Sequence, residues 1–128
     1  MKKWCCSLIV VLALMACSKP EASEVAGQTA KLYYDYLLQG RYRDFVAGMN
    51  FPDSIPEQYR SQLVDNAKMY IAQQNKEHRG IQEIGVLKVS ADTAQHTASV
   101  FLSFTYSDGN VEQVLVPMVE RNGIWYMR

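Results

Sequence analysis

From Ile81 to Arg128 the apolar side chains recur at every second position, and two dipeptides that demand positive φ punctuate the run. A period of two places alternate residues on opposite faces of a β-strand, so this third of the chain is committed to a sheet. The spacing predicts a strand over Ile81 to Ser90 with a bulge at Gly85, a turn at Ala91-Asp92-Thr93, and a second strand over Ala94 to Tyr106. In that second strand Ala94, His96, Ala98, Val100, Leu102, Phe104 and Tyr106 share a face. Asp108-Gly109 and Asn122-Gly123 are read as two-residue hairpin turns. They bracket a strand from Val111 to Glu120 and lead into a last strand, Ile124 to Arg128. The expected sheet is a four-stranded antiparallel meander.

Upstream the period is that of helices. Ser18-Lys19-Pro20-Glu21 and Ser54-Ile55-Pro56-Glu57 share the order Ser-x-Pro-Glu, in which serine caps a helix start and glutamate returns the bond. Ser23 could cap the first helix equally well. That helix runs to about Leu38 and stops at Gly40, with Ala22, Val25, Ala26, Thr29, Leu32, Tyr33, Tyr36 and Leu37 on one broad face and Asp35 beside Lys31 opposite. A short helix is expected over Asp44 to Met49. A longer one spans Ile55 to Lys76, presents Tyr59, Leu63, Val64, Ala67, Tyr70 and Ile71 on one side, and is stopped by Gly80. Glu57 in its first turn and Lys76, His78 and Arg79 near its end suit the helix dipole. The fold class is therefore α+β: two or three N-terminal helices packed on a curved four-stranded antiparallel sheet.

The N-terminus has a separate meaning. Lys2 and Lys3 precede an apolar stretch, Leu8 to Ala16, of nine residues. That is too short for a bilayer span of about 20 and has the make-up of a secretory signal. It ends in Leu14-Met15-Ala16-Cys17, which resembles the lipobox of bacterial lipoproteins. The resemblance implies cleavage between Ala16 and Cys17 and acylation of the Cys17 thiol. It implies attachment to the lipid bilayer through two or three acyl chains, since one alone holds weakly. Ser18 after the acylated residue implies sorting to the outer membrane of a Gram-negative envelope. The expected organisation is a signal peptide over 1–16, a lipid anchor and short tether over 17–23, and a single domain over 24–128.

Cys5 and Cys6 leave with the signal, so the remaining 112 residues carry no thiol except the acylated one and no Cys-based metal site or disulfide. Losing Lys2 and Lys3 from 13 basic residues leaves 11 against 13 acidic ones. No basic stripe is present, which argues against nucleic acid as a partner. Two separated histidines and scattered acids form no metal set of convincing spacing, and no phosphate loop or nucleophile elbow is present. Nothing implies a cofactor.

The Tyr33-Tyr34-Asp35-Tyr36 helix, Gly40-Arg41-Tyr42 after it and Asn122-Gly123-Ile124-Trp125-Tyr126 at the end carry a further likeness. Together with helices first and a long sheet after, they resemble the nuclear-transport-factor-two-like, or ketosteroid-isomerase-like, cone fold, and more narrowly a family of small bacterial lipoproteins of unknown function with that fold. A cystatin-like helix-on-sheet arrangement is the neighbouring alternative. The resemblance implies a fold and brings no catalytic residues.

A two-residue loop at Asp108-Gly109 sets Tyr106 opposite Val111, Leu102 opposite Leu115 and Val100 opposite Pro117. The helix-facing column is then Val100, Leu102, Phe104, Tyr106, Leu115 and Val119, and Phe101, Val114, Val116 and Met118 form an apolar outer face. Such a patch calls for a partner, either a second copy of this chain or another envelope protein. Between helices and sheet, Tyr33, Tyr36, Tyr59, Tyr70, His96 and Tyr106 are the candidate pocket residues, because tyrosine combines apolar area with one hydroxyl. Asp35 is expected at the surface and no catalytic set emerges. The expected function is a non-enzymatic envelope module that binds a small apolar molecule or a protein. The alternatives are a ketosteroid-isomerase-like enzyme in the same cavity and a structural protein packing by its sheet.

Overall fold

The computed structural model describes residues 21–51 and 53–128. The signal segment, Ala16, Cys17 and the Ser18 cap lie outside the described residues. The elements are α1 (Ala22–Leu38), α2 (Tyr42–Ala47), α3 (Glu57–His78), β1 (Ile81–Asp92), β2 (Thr97–Tyr106), β3 (Val111–Arg121) and β4 (Ile124–Met127). The strands form one antiparallel sheet in the order β1-β2-β3-β4, and the helices pack on one of its faces. No helix among the described residues is long and apolar enough to cross a membrane.

The helix ends follow local chemistry, though not always the chemistry expected. Gly40 (φ 78°) closes α1 in a Schellman arrangement, with Arg41 N–H on the Tyr36 carbonyl at 2.8 Å and Gly40 N–H on that of Leu37 at 3.2 Å. The Ser54 box does not cap its helix. α1 follows Glu21, leaving Ser23 within its first turn, and α3 follows Pro56; neither start has a side-chain cap. Glu57 is engaged elsewhere, its carboxylate taken by Arg43 at 3.0 and 3.1 Å and by Ser61 at 3.3 Å. At the far end of α3 Arg79 is itself left-handed (φ 63°), one residue ahead of Gly80.

The buried side of α1 is narrower than the hydropathy pattern suggests. Ala26, Gly27, Ala30 and Leu37 are buried, while Val25 and Leu32 are exposed. A Cβ on Gly27 would lie 2.8 Å from Val89 Cγ2 and 3.3 Å from Val86 Cγ1, so small residues let α1 approach β1 closely. Small residues carry little hydropathy signal, which is why the larger Val25 and Leu32 misplace the stripe.

Two features of the sheet correct the sequence reading. The first is the bulges: they fall at Gln82 and Leu87, and Gly85 pairs in register with Ser103. The second is the β2–β3 hairpin, which has a three-residue loop. Tyr106 N–H meets the Asn110 carbonyl at 2.8 Å, Gly109 N–H meets the Tyr106 carbonyl at 3.0 Å, and Gly109 is left-handed at φ 94°. This is a turn followed by a glycine bulge, the next most common hairpin after the two-residue kind. Pairing moves by one residue, to Thr105 with Val111, Phe101 with Leu115 and Val100 with Val116. A one-residue slip exchanges the two faces of a strand. Val114, Val116 and Met118 therefore turn toward the helices, and Leu115 turns out to solvent, 51% exposed. Asn122-Gly123 keeps its two-residue turn, with φ 54° and 82° and Arg121 opposite Ile124.

The core lies between the helices and the inner sheet face. Val46, Val100, Leu102, Phe104 and Met118 are entirely out of water, each contributing about 1.5–3 kcal/mol by burial. Among the described residues this core runs from Ala26 to Met127, so a chain beginning at Ser18 retains all of it.

Candidate functional site

α1 lies close on the sheet and α3 does not. α3 packs on α2 and α1 and stands off β3, leaving an apolar cavity of about 420 Å³ beneath it. Its walls are Tyr34 and Leu37 from α1, Phe45 from α2, Leu63 and Tyr70 from α3, and Val114 from β3. Tyr34 packs against both Phe45, edge-on with ring centroids 5.3 Å apart, and Phe104, with centroids 5.5 Å apart. The lining residues that carry polar groups are Asn66, Tyr34 and Tyr70. Burial raises the Tyr34 phenol above its ordinary range. Tyr70 is pushed up to about 12, by burial first and then by Tyr34 and Glu112. Both therefore stay neutral hydrogen-bonding groups at any physiological pH.

A second lobe of about 270 Å³ continues past Tyr34, Phe45 and Met49 toward Phe51, Val116 and Met127. The α2–α3 connection forms its wall by running beside β4, with Asn50 N–H on the Met127 carbonyl at 2.7 Å and Met127 N–H on that of Gly48 at 2.8 Å. Asn50 also lines this lobe, and its buried side-chain oxygen has no hydrogen-bond partner.

A polar group sits by the C-terminal half of α3. Tyr106 donates its hydroxyl hydrogen to the Glu112 carboxylate, and burial together with that bond holds the phenol well above its ordinary range. The His78 ring stacks on Tyr106 with centroids 4.2 Å apart, and its Nδ1 lies 2.9 Å from Asp108 Oδ2. The Asn110 backbone N–H and His78 together hold the Asp108 carboxyl below its usual range. Glu112 shares the inner face of β3 with Val114, two residues away. It was invisible in the sequence because the expected register gave it no neighbour of interest. Tyr34 was missed for a similar reason, falling outside the face assigned to α1.

Of the candidate pocket residues, Tyr70 alone lines the main cavity. Tyr106 is buried beside it. Tyr33 donates to the Trp125 carbonyl at 2.6 Å, and Tyr36 carries the Arg41 guanidinium over its ring at 4.3 Å. Tyr59 is half exposed against Phe51. His96 is a correction: β2 begins at Thr97, and His96 takes a left-handed conformation (φ 56°) in the preceding turn, exposed and 3.1 Å from Glu120 Oε1. Of the candidate interface residues, Phe101 stays on the outer face with Leu115, and the Lys88 ammonium sits 5.3 Å above its ring. Val114, Val116 and Met118 are interior, for the reason of register given above. Asp35 pairs with Lys31 at 2.7 Å on the surface of α1. Among the described residues no three His, Cys, Asp or Glu side chains group as a metal site.

No protein-family model matches the chain, and no curated protein matches it. Solved structures do. A candidate NTF2-like transpeptidase from Campylobacter jejuni superposes with a TM-score of 0.63 at 10% identity, over 78% of this chain and 94% of that one. The fold is NTF2-like. Aln2 from a Streptomyces species (TM-score 0.53, 14% identity, 87% of this chain and 88% of that one) shares it. So does RPA3114, a SEC-C motif containing protein from Rhodopseudomonas palustris (0.51, 16%, 77% and 71%). At these identities the likeness is one of backbone. What an NTF2-like cone offers chemically depends on the side chains that line it, and here those are mostly apolar.

Proposed function

We propose that this protein is a binding module of the bacterial cell envelope, held to the outer membrane by acyl chains on Cys17, that takes a small apolar molecule into the cavity beneath α3. The observation that carries the reading is the cavity itself. Its volume of about 420 Å³ falls within the 300–1,000 Å³ typical of small-molecule sites, and it combines apolar walls with a few polar groups, as such sites do. The anchor part of the reading rests on Leu14-Met15-Ala16-Cys17.

The test is a fluorescence titration of the chain from Ser18 onward with the neutral probe N-phenyl-1-naphthylamine. Saturable one-to-one binding is expected, weakened at least 10-fold by Ala67→Phe, which places a ring in the cavity. Non-saturating or variant-independent fluorescence contradicts the reading.

The Tyr106–Glu112 pair favours a second reading, a ketosteroid-isomerase-like enzyme in which Glu112 acts as base. Such chemistry needs a carboxylate sheltered from water, and Glu112 is exposed, so binding is the better account. Deuterium exchange at the α-carbon of an added ketone, catalysed by the native chain and lost in Glu112→Gln, would reverse that order.

A further inference from the structure

Met49 and Phe51 mark a boundary. On one side is the second apolar lobe, and on the other a polar chamber of about 330 Å³ that Met49 and Phe51 also line. Met49 faces the main cavity as well, so three spaces adjoin one another along a single side chain. Arg60 from α3 and Arg121 from the end of β3 both line the chamber.

Arg121 is fixed in place and incompletely satisfied. Its guanidinium lies 4.6 Å over the Tyr126 ring, one Nη donates to the Phe51 carbonyl at 3.3 Å, and Nε is buried with no partner. A buried donor without an acceptor is uncommon in folded proteins. The Arg60 guanidinium is mostly covered, and its nearest carboxylate, Glu57 Oε1, is 3.8 Å away and already bonded by Arg43. Asp53 also lines the chamber, but it is exposed. Two cations against one exposed acid leave the chamber electropositive, and guanidinium groups make strong charge-assisted hydrogen bonds to carboxylates.

We infer that the protein binds a single-chain anionic amphiphile, its carboxylate held by Arg121 and Arg60 and its hydrocarbon chain running past Met49 into the apolar lobes. This inference rests on the cavity-binding reading above and names the ligand class for it. A chain of methylenes suits walls of Leu37, Phe45, Leu63 and Val114. The Arg121 stacking on Tyr126 sets the direction of its guanidinium before any ligand arrives.

The test uses the chain from Ser18 onward and two probes of equal chain length, dodecanoate and dodecanol, each displacing N-phenyl-1-naphthylamine. Dodecanoate should bind at least 10-fold more tightly than dodecanol. Arg121→Gln should abolish that preference, and saturable binding of the N-phenyl-1-naphthylamine reporter by the variant shows that it is folded. Arg60→Gln should reduce the preference part-way. Equal affinity for the two probes, or a preference that survives Arg121→Gln, overturns the headgroup site and leaves the apolar cavity standing. Failure of both probes and of the reporter to bind overturns the cavity reading and this inference with it.

Discussion

The Tyr33 hydroxyl donates to the backbone carbonyl of Trp125 at 2.6 Å, joining α1 to β4 across 92 residues of sequence. The same ring is pressed from the other direction. A Cβ on Gly48, whose φ is ordinary, would lie 2.6–2.7 Å from three Tyr33 ring atoms. The bond fixes the ring, and the fixed ring requires glycine at 48. Tyr33→Phe should therefore cost about 1 kcal/mol, the usual net worth of such a bond. Gly48→Ala should cost about 1–3 kcal/mol by overpacking. In a Tyr33→Ala background the Gly48→Ala cost should largely vanish. Urea unfolding of the four chains gives this cycle directly, and additive costs would mean that the two residues do not touch.

The register of β3 can be read by charge insertion. Leu115→Glu, on the outer face, should change stability by no more than about 0.5 kcal/mol. Val116→Glu buries an unpaired carboxylate and should leave the chain largely unfolded. Circular dichroism with urea unfolding checks both. The opposite ranking would restore the two-residue loop and return Val114, Val116 and Met118 to the outside.

Alkaline pH should loosen the cavity. The Tyr70 phenol, pushed up to about 12 in the folded chain, titrates near 10 when unfolded. The folded state therefore holds the proton more tightly. The stability from this group is full below pH 10 and is lost as pH rises toward 12. Tyr106, raised in the same direction, adds to the loss. Absorbance titration of tyrosinate should show late-titrating phenols, one of which disappears in Tyr70→Phe, and urea midpoints should fall steeply above pH 10.

Anchoring has a simple readout. Cys17→Ser removes the acylation site that the lipobox-like tetrapeptide provides. The native protein should fractionate with membranes and carry an N-terminal mass increased by acyl groups. The variant should keep neither property. Unchanged partitioning with an unmodified mass would remove the lipid anchor from the account.

Much of this architecture was legible because the strongest signals are local. Positive φ at Asn122-Gly123 and Gly40 needs no tertiary context, and neither does the change of period at Ile81. The largest loss has its origin in one hairpin. Asp108-Gly109 is compatible with either a two- or a three-residue loop, and the choice depends on bonds made by Tyr106 and Asn110 across the hairpin. That single residue of slip reversed the faces of Val114, Val116 and Met118, and it placed Glu112 beside Tyr106. His96 was lost because alternation continues through a turn that the backbone does not extend through. The site itself was half visible: Tyr70 could be chosen by helical spacing, whereas Tyr34 and the Arg60–Arg121 chamber arise only from how α1, α3 and β3 meet.

The central claim is that the space under α3 holds a small molecule. Native mass spectrometry of the chain from Ser18 onward, prepared from two different hosts, tests it most directly. The account predicts a population heavier than the polypeptide by a few hundred daltons, reverting to the bare polypeptide mass in Ala67→Phe. A bare mass from both hosts that also stays bare when dodecanoate is added would contradict it.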